Sequence, residues 1–233
     1  MSGQLTFHVL TLFPDMITQM VSHSILGRAI TANHINVNPI NIRDYAINQY
    51  GQVDDAPYGG GAGMVMMAQP VFDAWEFIQT PNSKPRTIYL TPQGKPFTQI
   101  MATELAQEAS IILICGHYEG LDERIIEEIV TDEISIGDYV LTGGEPAALV
   151  VMDAIARLVP QVLNKSASHE DESFSPTLNG GLEYPHYTRP AVFRGREVPA
   201  VLLSGHHGNI ADWRLAQSQK RTQIKRPDLS RTD

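Results

Sequence analysis

The chain has 233 residues, of which 42% are apolar and 18% charged. That is enough apolar material for a folded core and too little charge for a disordered chain. No apolar run reaches the length of a membrane span, the first residues lack the basic-then-apolar pattern of a secretory signal, and Cys115, the single cysteine, has no intrachain partner, so a cytoplasmic protein is expected. The net charge of −9 argues against a polyanionic partner, but it is unevenly spread. Residues 180–233 hold nine Lys/Arg against five Asp/Glu, a net +4, on an otherwise acidic chain. Such a module suits phosphates as well as it suits an ordinary solvated face.

In chain order, Phe7–Phe13 reads as a buried strand ending at Pro14, Asp15–Ala32 as one or two helices, and Ile35–Ile42 as a strand. Gln69–Gln79 has a helical pattern with Pro70 at its start. Thr87–Leu90 reads as a short strand closed by Thr91-Pro92-Gln93-Gly94, and Thr98–Glu108 as a helix. Ile111–Cys115 is a strand closed by Gly116. Leu121–Val130 reads as a helix, Glu133–Ile136 as a strand, and Glu145–Leu158 as a helix. Strands alternating with helices imply an α/β fold with a mostly parallel sheet covered on both faces. Ligands in such sheets bind beyond the carboxyl ends of the strands. Three strand ends carry glycine or proline, at Thr91–Gly94, Gly116–Gly120 and Gly137–Gly144, which points to one ligand site built from three loops.

The alternation stops near Leu163. A first domain over residues 1–163, a polar linker over 164–179 and a small, mainly helical basic domain over 180–233 are expected. In the last, Asp212–Ile224 reads as a helix with an apolar side of Trp213, Leu215 and Ala216.

Tyr58-Gly59-Gly60-Gly61-Ala62-Gly63 is neither a P-loop, having no Gly-Lys-Ser/Thr after it, nor a dinucleotide fingerprint, having no clear strand before it. By itself it reads as a surface loop; with Asp54-Asp55 in front it is also placed to frame a ligand. The eight histidines have no metal-ligand spacing, so no metal site is expected. Cys115, inside an apolar strand, reads as an inert buried thiol. Glu170-Asp171-Glu172 reads first as a solvated acidic loop, although a carboxylate between two domains is well placed to meet a substrate.

These segments together resemble the bacterial tRNA (guanine-37-N1)-methyltransferase family of the SPOUT, or trefoil-knot, superfamily. The resemblance rests on Leu10-Thr11-Leu12-Phe13-Pro14, Val53–Met64, Ile88–Gly94, Cys115–Arg124, Ser135–Glu145, Leu182–Pro190, Val201–Gly205 and Arg226–Leu229, in the family's order along nearly the whole chain. It implies a trefoil knot at the C-terminal side of the first domain, a homodimer with active sites at the subunit interface, and tRNA as substrate. It implies S-adenosylmethionine as methyl donor, held by Tyr89, Leu90, Pro92, Gly116, Tyr118, Glu119, Ser135, Ile136, Gly137, Asp138, Tyr139, Val140, Leu141, Gly143 and Gly144. It implies tRNA contacts at Asp54, Ser168, Arg189, Lys220, Arg221, Lys225 and Arg226, and a magnesium-assisted reaction for which no residue fixes the ion's place.

The chain departs from the family's usual pattern at several points. It has His117 for Arg, Ala62 for Pro, and Ser204-Gly205-His206-His207 for Ser-Gly-Asn-His. Glu172-Ser173-Phe174 stands where the family commonly has Asp-Ser-Phe. A gap-free count from Arg157 puts Glu172 in the role of general base, and a one-residue shift would put Asp171 there. Arg157 is the expected stabiliser of charge on the guanine. A dinucleotide-dependent α/β enzyme is disfavoured by the missing Gly-x-Gly-x-x-Gly. A tRNA-binding protein with impaired catalysis is the alternative that the Glu172 substitution raises.

Overall fold

The computed structural model describes residues 4–79, 84–163 and 172–230. The chain divides into two compact units, Met1–Leu163 and Asn164–Asp233.

The first unit is built on a five-stranded sheet of β1 (Leu5–Thr11), β2 (Ile35–Asn41), β5 (Arg86–Pro96), β6 (Ser110–Cys115) and β7 (Asp132–Ser135). The order is β2-β1-β6-β5-β7, and every neighbouring pair is parallel. Helices α1 (Pro14–Val21), α2 (Ser24–Thr31), α3 (Ala68–Glu76), α4 (Gln99–Leu105), α5 (Glu123–Ile129) and α6 (Glu145–Ala156) accompany it. The strands read as continuous apolar runs because both faces are covered. Along β6, Ile111, Leu113 and Cys115 join one core with Phe7, Val9, Leu90, Ile17, Leu105 and Val151, while Ile112 and Ile114 join the other with Leu10, Val71, Ala74 and Ile125. Pro39 is tolerated in β2 because that strand lies at the sheet edge.

Several boundaries differ from the sequence reading. Strand β1 starts at Leu5, which is buried, and ends at Thr11, whose hydroxyl accepts the Phe13 amide (2.9 Å) and turns the chain before Pro14. The helical reading from Leu121 is corrected to Glu123–Ile129: Asp122 caps the helix by accepting the Arg124 amide at 3.0 Å, and Leu121 bridges to Met66 instead. Strand β5 does not stop at Leu90. Both Leu90 and Lys95 face Ile134, so Thr91–Gly94 bulges out before pairing resumes at Lys95 and continues with Pro96 opposite Ser135. The bulge passes so close to β7 that a Cβ on Gly94 would stand 2.4 Å from the Glu133 carbonyl carbon and the Ile134 nitrogen.

The glycine-rich segment is the tip of an antiparallel hairpin of β3 (Asp54–Asp55) and β4 (Val65–Met66). Two residues per strand are too few to show as an alternating pattern. The hairpin is stitched to the loop after β6 by Glu119 N to Met64 O (2.9 Å), Met66 N to Gly120 O (2.9 Å) and Asp122 N to Met66 O (3.0 Å).

The second unit holds a hairpin of β8 (Val192–Phe193) and β9 (Arg196–Glu197), then α7 (Ala200–Leu203) and α8 (His207–Lys225). Residues 172–179, read from sequence as structureless linker, include a 3-10 turn at Pro176–Leu178. They are pinned by Phe174 N to Gly181 O (2.7 Å) and Glu183 N to Ser173 Oγ (3.0 Å). The expected apolar side of α8 is also corrected. Leu215 is 44% exposed, whereas Ser218 and Thr222 are the buried positions. Ser218 Oγ donates to the Leu182 carbonyl (2.6 Å) and Thr222 Oγ1 accepts the Leu182 amide (2.8 Å). A polar stripe thus satisfies both backbone groups of one residue, which an apolar stripe could not do. Among the described residues no helix is long and apolar enough to cross a membrane.

Candidate active site

The carboxyl ends of β5, β6 and β7 converge on a cavity of about 320 Å³. The bulge Thr91–Gln93, the turn Gly116–Leu121 and the loop Ser135–Gly137 with Tyr139–Gly144 line it. Tyr89, Leu90, Pro92, Gly116, Tyr118, Glu119, Ser135, Ile136, Gly137, Tyr139, Val140, Leu141, Gly143 and Gly144 therefore come together. Asp138 does not line the cavity. The Tyr139 amide donates to the Gly137 carbonyl (2.9 Å), a tight turn that puts Asp138 at its exposed apex.

The walls explain the glycines. A Cβ on Gly116 would stand 3.0 Å from the Tyr89 ring, and one on Gly144 2.6 Å from Cys115 Cα. Gly137 has φ +151°, and Ser135 Oγ holds the turn by accepting the Gly137 amide (3.2 Å) and donating to its carbonyl (3.1 Å). Gly144 N donates to Gly116 O (3.0 Å), joining two of the loops. Burial raises the pKa of the Tyr89 hydroxyl and pushes the Cys115 thiol well up. Cys115 is thus an inert core residue, as its apolar surroundings suggest.

Behind the cavity lies a polar network absent from the sequence reading. Glu145, the first residue of α6, is only 1% exposed. Its Oε1 accepts from Thr11 Oγ1 (2.6 Å), and both its oxygens lie within hydrogen-bond distance of His117 Nε2 (2.9 and 2.8 Å). An ionised carboxylate only accepts, so Nε2 carries a hydrogen. Burial pushes the Glu145 carboxyl up, but the bonds from His117, Thr11 and its own backbone amide outweigh it and hold the pKa below its usual value. The helix N-terminus also favours the anion. His117, which edges the Phe13 ring at 5.2 Å, lines the cavity and links it to the end of β1. The acidic residue straight after Gly143-Gly144 at a helix start was the available signal; its partners at positions 11 and 117 were not.

Because the folded-state pKa of Glu145 is lowered, its charged contribution is present above the ordinary carboxylate value of 4.5 and is lost as pH falls through the lower folded value. Glu145→Gln is expected to cost about 1.5–3 kcal/mol at pH 7. The stability gap from the native chain, followed by denaturant unfolding, should close at pH below 4.5. A gap independent of pH would show that shape rather than charge matters here.

The remaining candidates are distributed as follows. Arg157 caps the end of α6 and is partly buried; Asp54 is partly buried in β3. Glu172 is partly buried at the start of the described part of the second unit, its carbonyl accepting the Ser175 amide at 3.1 Å. Arg189, Lys220, Lys225 and Arg226 are exposed and Arg221 partly so. Arg226 forks onto Asp228 at 2.7–3.1 Å, which locally offsets its charge. Asp171 and Ser168 lie outside the described residues. Among the described residues no group of three His, Cys, Asp or Glu is placed to hold a metal ion.

The family profile described as tRNA (Guanine-1)-methyltransferase TrmD matches residues 5–232. A protein named tRNA (guanine-N(1)-)-methyltransferase from Ruminiclostridium cellulolyticum is 56% identical over 224 residues, covering 96% of this chain and 95% of its own. Proteins of the same name from Caldicellulosiruptor saccharolyticus and Lachnospira eligens are 58% and 57% identical, covering 97% and 96% of this chain and 90% and 94% of theirs. With the match running through every loop of the cavity and both units, the chain belongs to the tRNA (guanine-1)-methyltransferase family.

Proposed function

We propose that this protein methylates N1 of the guanine at position 37 of tRNA, next to the anticodon, in the cytoplasm, with S-adenosylmethionine as donor. The observation that carries the reading is the convergence of three glycine-bearing strand ends on one cavity. The fit to the donor rests on its walls. Backbone at Gly116, Gly137, Gly143 and Gly144 is brought to the cavity where a Cβ would crowd a neighbour, and backbone groups so placed hydrogen-bond an adenine and a ribose closely. When bound, the donor supplies a methyl group on a sulfonium that is already a good leaving group.

The harder half of the reaction lies in the acceptor, and the chain's own residues address it. Guanine N1 bears a proton, which Glu172 takes as the N1–methyl bond forms. Negative charge growing on O6 is stabilised by the guanidinium of Arg157. Magnesium assistance belongs to this reading as the resemblance implies it, with no residue assigned to hold the ion. A trefoil-knotted first unit is part of this reading and rests on the family match. So is a homodimer, supported by Phe13 (47% exposed), Met16 (40%) and Val150 (48%) on or beside the adjoining helices α1 and α6.

Single-turnover methyl transfer to a tRNA transcript tests the proposal. The product should be N1-methylguanine at position 37, and a transcript with adenine there should be inert. Binding of both without methylation of either would leave a tRNA-binding protein with impaired catalysis.

Neutralising Lys220, Arg221, Lys225 and Arg226 together should weaken tRNA binding and flatten its salt dependence, with a slope change of about 0.9 for each phosphate no longer neutralised. Arg226 should contribute least, since Asp228 already engages it. An unchanged slope in a salt titration would make this helix end an ordinary solvated face.

A further inference from the structure

The second unit carries planar groups that the reaction above does not use. Trp213 and Arg214 are consecutive on α8. Trp213, partly exposed, contacts Tyr187, which is 50% exposed, with ring centres 6.4 Å apart and tilted by 54°. Arg214 is exposed, yet its guanidinium carbon lies 4.7 Å from the centre of the Tyr184 ring, which is only 7% exposed. Tyr184 in turn lies against the ring of His186 at 4.9 Å. A cavity of about 190 Å³ opens beside them, lined by Thr177, Leu178, Tyr184, Ala211, Arg214 and Leu215.

An exposed arginine ordinarily samples many rotamers, and fixing it costs entropy. Here the guanidinium carbon lies against a buried ring, and the exposed Leu215 (44%) lines the cavity beside it. Tyr187 and Trp213 offer partly exposed rings and Arg214 an exposed guanidinium, in a segment of net positive charge, a combination that suits a π-face next to phosphates.

We propose that the Tyr187–Trp213–Arg214 cluster binds one unstacked base of the RNA substrate. This rests on the tRNA reading above and adds a contact that does not depend on the reacting guanine. The base does not enter between Tyr187 and Trp213, whose tilted rings are already in contact; it stacks on the remaining open surface of Trp213. Arg214 adds donors and a second flat surface. The site is sequence-tolerant, because every base has a π-face.

The chain has two tryptophans, and Trp75 donates its ring N–H to Thr87 in the first unit, so Trp213 can be read separately. The probe is an unmodified tRNA transcript without methyl donor. Titrating it should quench tryptophan fluorescence in the native chain and in Trp75→Phe, but not in Trp213→Phe. Trp213→Ala should weaken binding roughly 5- to 150-fold, and Trp213→Phe, which keeps a ring against Tyr187, should restore most of it. Stacking releases few counterions, so Trp213→Ala should leave the slope of log affinity against log salt unchanged. S-adenosylmethionine affinity and the circular dichroism spectrum report intact folding. Affinity within twofold of native for Trp213→Ala, or no quenching in Trp75→Phe, overturns the proposal while methylation persists. Loss of methylation of every transcript with quenching intact refutes the enzymatic reading and leaves this site standing.

Discussion

Glu172→Gln is expected to lower the single-turnover rate of methyl transfer by roughly 10²–10⁴-fold, the range for loss of a general base, with donor affinity nearly unchanged. The substitution keeps size and hydrogen bonding but removes the basic oxygen. Asp171→Asn should cost much less. The backbone that follows Glu172 is held in place. The Glu172 carbonyl is held by Ser175 N, Ser173 Oγ accepts the Glu183 amide, and Phe174 sits at φ +70° with its amide on Gly181 O. A non-glycine residue in the left-handed region costs free energy and persists only where surrounding bonds fix it. A carboxylate leading into so constrained a turn needs little reorganisation to act. Its glutamate is one methylene longer than the aspartate common at this place in the family, so its backbone must stand further from the guanine by that length. If Asp171→Asn is the crippled variant and Glu172→Gln is near normal, the base is Asp171; if neither slows the reaction, no carboxylate of this segment is the base.

Gly137→Val is expected to abolish measurable donor binding while leaving the chain folded. Gly137 has φ +151°, and a Cβ there would stand 2.5 Å from Tyr139 Cε1 and 3.1 Å from Cζ. Valine would strain the backbone and drive the Tyr139 ring out of a wall of the cavity. Displacement of binding groups by about 1 Å can cost on the order of 10²-fold, so calorimetry should show at least that loss. Gly208→Ala is the control. A Cβ on Gly208 would meet no atom within 4 Å, and the residue sits in α8, so the change should be neutral or slightly stabilising. Native affinity in Gly137→Val would remove this loop from the donor site.

Much of this architecture was legible in the sequence because local chemistry dictated it. The apolar runs Phe7–Phe13 and Ile111–Cys115 read as strands, and strands lie there at Leu5–Thr11 and Ser110–Cys115. Glycine at 116, 137, 143 and 144 marked the strand ends where backbone turns sharply or passes close to another segment. Pattern reading failed where two residues made a strand, as at Asp54–Asp55, or where a strand resumed after a bulge, as at Lys95. Neither leaves a period long enough to detect.

Two features were decided only by the tertiary structure. Helix α8 reads as amphipathic around Trp213 and Leu215, yet it buries Ser218 and Thr222, because the backbone of Leu182 needs a donor and an acceptor there. The Glu145 carboxylate stands 134 positions from Thr11 and 28 from His117 along the chain, and nothing local links them. Parallel pairing of β1 with β6 brings their carboxyl ends together beside the start of α6, and only there does an acidic residue find the two donors that make its burial tolerable.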